Sequence, residues 1–362
     1  MRSLSTALAA AALLLTSSAP LAAARVGRAA ASANAHAKST NSSATPSWLA
    51  VGPSATAGSF DLFQLSSQGL KTKVLVTFPV DADEVAQDGA FGCGRGYCMM
   101  LTQVPQAKQT VLRNFSFFAP ALLGKYTLNF LAYNLNTNEA ENDDDFYGVT
   151  VIQDHTKTPT AWIVAKVGDQ GKTTPIVDIT ANVGPLGAVM QGGTAYCGAG
   201  VNTLFVAVTR RGAGGGATDT MLTIDTAARR VTNTVQLNMP ALASHYATCG
   251  GSEGALSVGG AMVVSSGFGR HAVVVGAVDQ KSGIFAPIDA ADLPAAAPGV
   301  VPFDITSIMS GVSPFSMSYG AVLYSGFNRL PGLLFVSYPA NGRGSATVAP
   351  LNVLVFGIAE AF

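Results

Sequence analysis

Beyond residue 47, the chain is dominated by short stretches in which apolar and polar residues alternate. These stretches are rich in Val, Leu, Phe and Thr, and Gly, Pro, Asn and Asp separate them. Alternation with a period of two predicts β-strands, because successive side chains of a strand point to opposite faces. A helical period is scarce, and only parts of Gln106–Phe118 and Pro240–Tyr246 have a pattern that also fits a helix.

The strand pattern recurs as a unit of strand, turn, strand, turn and strand. The clearest unit covers Thr203–Asn238, and Ala261–Asp289 repeats its order. Similar units begin at Leu333, Leu128 and Trp48, and the gap between Asp81 and Asn114 has room for one irregular unit more. Four short antiparallel strands repeated about every 55 to 80 residues are the layout of propeller blades. We therefore predict an all-β fold, a β-propeller of five to seven four-stranded blades, with β-sandwich domains as the alternative.

Glycine-containing segments indicate where the innermost strand of a blade lies. They are AYCGAG at 195–200, GALSVGG at 254–260 and SMSYGAV at 316–322. Glycine suits this place because neighbouring backbones crowd together near the axis of a propeller.

One repeat has a recognisable form. In MLTIDTAARRVTNTVQLNMP, residues 221–240, an apolar strand ends in a turn that opens with Asp225, and a Val-rich strand follows at Val231. The phrase resembles repeats of the secreted and periplasmic propellers called YVTN or quinoprotein-like. The resemblance covers one blade well and the others loosely. It implies a propeller fold in a class that contains binding proteins as well as enzymes, and no active-site motif of that class is present to carry across.

The N-terminal segment predicts export. Arg2 precedes an apolar run from Ala7 to Leu15, and Ala22-Ala23-Ala24 has the small-x-small form of a signal-peptidase site. We therefore predict a signal peptide over residues 1–24 and a secreted or periplasmic protein, with an organelle lumen as the alternative. Residues 25–47 are rich in Ala, Ser and Asn and predict a disordered linker, which leaves 48–362 for the propeller domain. No later apolar run has the length of a transmembrane segment.

The charge of the chain argues against one class of partner. Its formal net charge is zero, and charged residues make up 12% of it, against about 25% in a typical domain. A nucleic-acid-binding protein needs a basic surface for phosphate, so we predict no nucleic-acid partner.

The cysteines number four, an even count that suits two disulfides in an exported chain. Cys197 and Cys249 follow tyrosine-containing segments at similar places in consecutive repeats, so we predict a bond between them. The remaining pair is then Cys93 with Cys98. A zinc site is the alternative, but the Cys-x4-Cys spacing has neither a matching second pair nor a nearby histidine.

Residues Gly250–Gly254 spell G-x-S-x-G, the pattern of a serine hydrolase's nucleophile elbow. An elbow lies between a strand and a helix, whereas strand-like and glycine-rich residues follow Ser252. We therefore interpret the segment as a turn that leads into an innermost strand, and we assign no catalytic residue.

An acidic segment has the oxygen spacing of a calcium loop. Its candidate ligands are Asn134, Asn136, Asn138, Asn142 and Asp145. The sixth position holds Glu139 instead of the usual Gly, and the flanks predict strands instead of helices. An exposed acidic hairpin loop is the favoured alternative. Calcium is the single cofactor for which the sequence offers a candidate site.

Ligand-binding residues are expected at one axial mouth, where the loops of a propeller converge. Aromatic and polar residues stand at strand starts or hairpin tips of three successive repeats: Tyr196, His245, Tyr246, Arg270, His271 and Tyr319. Such groups suit sugars or aromatic ligands, and ring packing between blades is the alternative.

The favoured function is therefore an exported binding module that recognises an extracellular protein, glycan or small ligand at the axial mouth. Two alternatives stay open. One is a hydrolase or lyase on the same scaffold that uses His245 or His271, and the other is a structural protein of the envelope or wall.

Overall fold

The computed structural model describes most of the chain beyond residue 46. The described ranges are 47–94, 96–137, 146–196, 202–212, 216–238, 245–249, 262–268, 272–292, 305–313, 318–325, 332–338 and 345–360. All of them belong to one compact unit, Ala44–Phe362. The predicted signal peptide and residues 25–46 of the predicted linker lie outside these ranges, so both stay predictions.

The described strands form six four-stranded antiparallel sheets, each of which is one blade. Blade 1 contains β1 (Ser47–Pro53), β2 (Ser59–Ser66), β3 (Lys71–Pro79) and the C-terminal β24 (Gly357–Glu360). Blade 2 contains β4 (Val85–Gly94), β5 (Tyr97–Val104), β6 (Gln109–Ser116) and β7 (Ala121–Leu128). Blade 3 contains β8 (Leu131–Thr137), β9 (Tyr147–Asp154), β10 (Ala161–Gly168) and β11 (Thr173–Asp178).

The second half of the ring follows the same plan. Blade 4 contains β12 (Ala188–Tyr196), β13 (Thr203–Arg211), β14 (Ala217–Asp225) and β15 (Arg230–Gln236). Blade 5 contains β16 (His245–Cys249), β17 (Met262–Phe268), β18 (Ala272–Val278) and β19 (Phe285–Asp292). Blade 6 contains β20 (Ile305–Ser313), β21 (Ser318–Ser325), β22 (Leu333–Tyr338) and β23 (Ser345–Pro350).

The blades close into a ring through their innermost strands. Each innermost strand lies beside the innermost strands of the two neighbouring blades, in the circular order β24, β4, β8, β12, β16 and β20. The predicted all-β propeller is thus confirmed, with a blade number inside the predicted range. The gap between Asp81 and Asn114 holds most of blade 2.

Blade 1 joins the two ends of the folded chain. Its innermost strand β24 pairs with β1, with Glu360 opposite Trp48 and Gly357 opposite Val51. The amide of Phe356 also donates to the carbonyl of Val51 at 2.6 Å. The last strand therefore supplies the inner edge of a sheet whose other three strands come first in the chain.

Two sequence predictions about individual elements are wrong. The part of Gln106–Phe118 whose pattern also fits a helix forms β6, and the one helix in the described ranges is the single turn α1 (Thr180–Val183). The glycine-containing segment at 316–322 overlaps β21, the second strand of blade 6, because β20 is the innermost one. No helix in the described ranges has the length and apolar character of a membrane span.

Strands inside the ring are apolar on both faces because blades cover both. Met99 and Leu101 of β5 belong to the core shared with blade 3, whereas Met100 belongs to the core shared with blade 1. The outermost strand β7 instead alternates between exposed and partly buried residues. Across the blade 1–blade 2 boundary, the rings of Phe78 and Phe115 lie 4.7 Å apart between centroids.

In blades 4 and 5, the turn before the outermost strand contacts the preceding blade. Arg229 donates from Nε to the carbonyl of Ile176 at 3.2 Å and also donates to the carbonyl of Pro175. Asn233 donates to the carbonyl of Gln280 at 2.6 Å. Three of the turns before outermost strands hold a glycine with φ near +70°, namely Gly69, Gly171 and Gly283, whose φ values are 76°, 75° and 68°. In blade 4, Arg229 occupies the same position with φ 57°.

Candidate functional site

The ring has two faces that strand direction defines. We call the face at which the innermost strands begin the N-face, and the face at which they end the C-face. Because the four strands of a blade alternate in direction, the turn between the second and third strands lies at the N-face. The turn between the first and second strands lies at the C-face.

The six predicted ligand-binding residues divide between these faces. His245 and Tyr246 open β16, so they stand at the N-face of blade 5. Arg270 and His271 lie outside the described residues, in the connection between β17 and β18, whose flanking strand ends stand at the same face. Tyr196 ends β12 and Tyr319 lies near the start of β21, so both stand at the C-face.

Tyr196 is part of a contact between blades 3 and 4. Only 9% of it is exposed, and its hydroxyl lies 3.2 Å from the hydroxyl of Tyr147 on β9. The Lys166 amine lies 3.5 Å from the centroid of the Tyr147 ring, in cation–π geometry. The Tyr196 ring is therefore packed between blades, as the alternative interpretation expects for it.

Two of the predicted calcium ligands lie on the innermost strand β8 and contact blade 4. Asn136 donates to the Thr194 hydroxyl at 2.8 Å, and its Oδ1 accepts the Tyr196 amide at 3.4 Å. Asn134 has φ 60° at a β-bulge and donates to the carbonyl of Met190 at 3.2 Å. Both side chains thus serve the boundary between blades.

The other predicted ligands, Asn138, Asn142 and Asp145, lie outside the described residues. Among the residues that the structure describes, no three His, Cys, Asp or Glu side chains are grouped as a metal site. The calcium site stays a prediction.

The Cys93–Cys98 disulfide is confirmed. The two residues are directly opposite in the β4–β5 ladder, with an S–S distance of 2.08 Å and Cα atoms 4.0 Å apart. Both are buried, and the Thr137 hydroxyl of blade 3 donates to the Cys93 carbonyl at 2.9 Å. The bond holds the hairpin of blade 2 at the C-face.

The second predicted disulfide involves one residue outside the described ranges, Cys197. Its partner Cys249 ends β16, and Tyr196, which precedes Cys197, ends β12. These are adjacent innermost strands that end at the same face. The pairing of Cys197 with Cys249 stays a prediction. Ser252 also lies outside the described residues, and the innermost strand β16 precedes it in the chain instead of following it.

A buried ionic cluster in blade 2 was not predicted from the sequence. Arg113 on β6 forms two parallel bonds with Glu84, at 2.6 Å to Oε2 and 2.7 Å to Oε1. Arg113 also donates to the carbonyl of Pro79 at 3.2 Å, and the Thr102 hydroxyl donates to Glu84. Burial alone would raise the pKa of Glu84, but hydrogen bonds from Arg113 and Thr102 outweigh it and lower the pKa to about 2.

This cluster joins the connection that enters blade 2 to two strands of that blade. The Glu84 and Arg113 side chains have no exposed surface, so the pair serves the scaffold. One sequence signal did exist: Arg113 is a charge within the apolar strand TVLRNF, and a charge buried in such a strand needs a partner.

Comparison with solved structures finds other β-propellers at low identity. The periplasmic gluconolactonase of Pseudomonas aeruginosa matches at 12% identity with a TM-score of 0.46, over 88% of this chain and 99% of that one. The SapL1 lectin, solved with α-methyl fucoside, matches at 12% identity with a TM-score of 0.41, over 85% and 97%. The Dos1 propeller matches at 8% identity with a TM-score of 0.40, over 83% and 67%.

No protein-family model matches the sequence, and no match was found among curated proteins. The class of this protein is therefore defined by its own strand order. The described strands form a six-bladed β-propeller in which β24 completes the first blade.

Proposed function

We propose that this protein is an exported binding module that recognises a glycan at the N-face, beside blade 5. The observation that carries the proposal is the position of β16, whose first two residues, His245 and Tyr246, open an innermost strand at that face. The strand ends that flank Arg270 and His271 stand at the same face of the same blade. The proposal therefore assigns four of the six candidate residues to one end of blade 5.

These residue types suit a saccharide that carries a carboxylate. A tyrosine ring offers an apolar face and a hydroxyl, and histidine and arginine donate hydrogen bonds to sugar hydroxyls. Arginine also binds carboxylates with two parallel hydrogen bonds. The two candidates at the C-face are not part of this site, and Tyr196 serves the boundary between blades.

Export is supported by the buried Cys93–Cys98 bond, because disulfides persist in oxidising compartments. The predicted signal peptide supports the same location. The buried carboxylates of blades 1 and 2 serve the scaffold: Asp61 is bound by Lys71 at 2.7 Å, and Glu84 is bound by Arg113.

The test is a glycan array probed with the full chain, followed by calorimetry with the strongest ligand. Arg270→Ala and His271→Ala should each weaken binding about tenfold or more, as the loss of a charged hydrogen bond does. Arg230→Ala is the matched control, because Arg230 is exposed at the start of the outermost strand β15, and it should leave affinity unchanged.

Three results would contradict the proposal: no bound glycan, equal losses from Arg270→Ala and Arg230→Ala, or a larger loss from Tyr319→Ala at the opposite face. Labelling of Ser252 by a fluorophosphonate probe would instead favour the hydrolase.

A further inference from the structure

A groove runs along the outer edge of blade 1, at the perimeter of the ring. It has a volume of about 380 Å³ and lies between the first half of β3 and the segment that precedes β24. Its lining residues are Lys71, Thr72, Lys73, Val74, Asn352 and Val353. The volume lies within the roughly 300–1,000 Å³ that binding clefts occupy.

The groove follows an edge strand, whose outer side has backbone N–H and C=O groups that are not paired with a further strand. β3 is the outermost strand of its sheet, and the Lys71 amide donates to Oδ1 of Asn352 at 3.0 Å. A side-chain oxygen thus occupies the place that the carbonyl of an added strand would take. The next residues along the groove, Thr72 and Lys73, are exposed.

Two other outermost strands, β11 and β15, are interrupted or covered. β11 contains Pro175, which cannot donate to a further strand, and Arg229 binds the carbonyls of Pro175 and Ile176. In β15, Asn233 is bonded to the carbonyl of Gln280 in the next blade. The groove of blade 1 lies open instead, and Val74 and Leu70 beside it are each 44% exposed.

The charge in the groove is positive. The Lys71 amine is neutralised by Asp61, at 2.7 Å, and no lining residue is acidic. Lys73 is exposed and takes part in none of the ion pairs in the described part of the chain, so it supplies one net positive charge. Binding of a peptide strand in this groove is therefore favoured when the peptide carries a carboxylate opposite Lys73.

We infer that the groove of blade 1 binds an extended peptide segment of a partner protein, which adds to the edge of β3 and carries an acidic side chain opposite Lys73. Main-chain hydrogen bonds to β3 supply affinity, and Val74 and Lys73 select an apolar and an acidic side chain at neighbouring positions. This site is separate from the proposed glycan site, and either can fail without the other.

The test uses the fluorescein-labelled peptide Thr-Val-Glu-Val-Thr and measures anisotropy with the full chain at low salt. Replacement of its Glu by Gln should weaken binding, and N-methylation of its backbone amides should abolish it, because a methylated strand cannot pair. Lys73→Gln should weaken binding of the acidic peptide about threefold to fivefold and leave binding of the Gln peptide unchanged. Lys172→Gln, at an exposed lysine beside β11, is the matched control and should change affinity less than about twofold.

Absence of binding up to about 1 mM peptide would overturn the inference. Undiminished binding of the N-methylated peptide would also overturn it, because the contact would then not involve strand addition. Equal losses from Lys73→Gln and Lys172→Gln would overturn it as well, because they would indicate unspecific charge attraction.

Discussion

Single residues decide how the blades are joined, and the buried Glu84–Arg113 pair lies at the boundary between blades 1 and 2. Both side chains are fully buried, and the guanidinium also reaches the end of β3 through the Pro79 carbonyl. The removal of one member leaves a buried charge without a partner, which costs about 3–5 kcal/mol. The pair therefore makes the boundary between blades 1 and 2 sensitive to acid.

The sign of that sensitivity follows from the lowered pKa. Glu84 has a pKa of about 2 in the folded protein, below the ordinary value of 4.5, so folding favours its ionised form. Its contribution of roughly 3 kcal/mol is complete above about pH 4.5 and is lost as the pH falls toward 2. Glu84→Gln should lower the free energy of unfolding at pH 7 and remove the share of the decline between pH 4.5 and 2 that comes from Glu84, while Asp61, Asp154 and Asp279, whose pKa values are also lowered, supply the rest.

Urea unfolding at several pH values checks this expectation. Asp83→Asn is the matched control, because Asp83 is an exposed neighbour in the same connection. This substitution should leave the decline of stability at low pH unchanged. If the free energy of unfolding of Glu84→Gln falls between pH 4.5 and 2 as much as that of the unchanged protein, other carboxylates cause the decline.

At the scale of elements, the turns before the outermost strands set the spacing of the blades. Gly283 has φ 68°, and a Cβ atom at this position would overlap the carbonyl oxygen of Gln236 on the preceding blade. Gly58 has φ 71°, but a Cβ atom there would meet nothing within 4 Å. The two glycines therefore share backbone strain and differ in contact.

This pair allows the contact to be measured separately from the strain. Gly58→Ala should destabilise the protein by about 1 kcal/mol through the left-handed backbone alone. Gly283→Ala should cost at least about 2 kcal/mol more, because overpacking displaces the preceding blade. Chemical denaturation of both variants gives the difference, and equal losses would show that the blades tolerate the extra atom.

The sequence allowed the strands and the approximate blade count to be predicted, because polar turns such as Asp225–Arg229 and Asp279–Gly283 recur between apolar strands. It did not show which strand of each repeat is the innermost one. Inner and second strands are both buried on two faces, as Met99 and Met100 of β5 illustrate, so neither has a pattern of its own. Blade 2 was hard to recognise because Phe117–Pro120 replaces the polar turn.

The wrong assignment of the innermost strand of blade 6 also affected the predicted ligand-binding site. Whether a residue stands at the N-face or the C-face depends on which strand it begins or ends. Tyr319 was grouped with His245, although β21 is a second strand and begins at the opposite face. The buried pair Glu84–Arg113 was not predicted because its members are 29 residues apart and only the folded blade brings them together.

At the scale of the whole molecule, the ring depends on the four residues of β24. They pair with Trp48, Leu49, Ala50 and Val51, all of which are buried. A chain that stops after Phe356 should expose the edge of β1 and no longer unfold in one cooperative transition. It should also associate through β1, because unpaired strand edges pair with other chains. Light scattering and urea unfolding test both effects.

A chain that lacks only Ala361 and Phe362 is the control and should keep the association state and the unfolding behaviour of the full chain. A monomeric, cooperative protein without 357–362 would show that blade 1 is stable with three strands.

The pairing of β1 with β24 also has a consequence for the timing of folding. β1 is synthesised first among the strands, yet its inner neighbour begins at Gly357, about 300 residues later, so this contact bears a large loop-closure entropy. Blades 2 to 6 are each made of consecutive strands and can assemble as the chain lengthens. Closure of the ring is therefore a late event, and until it occurs the chain stays an open row of blades.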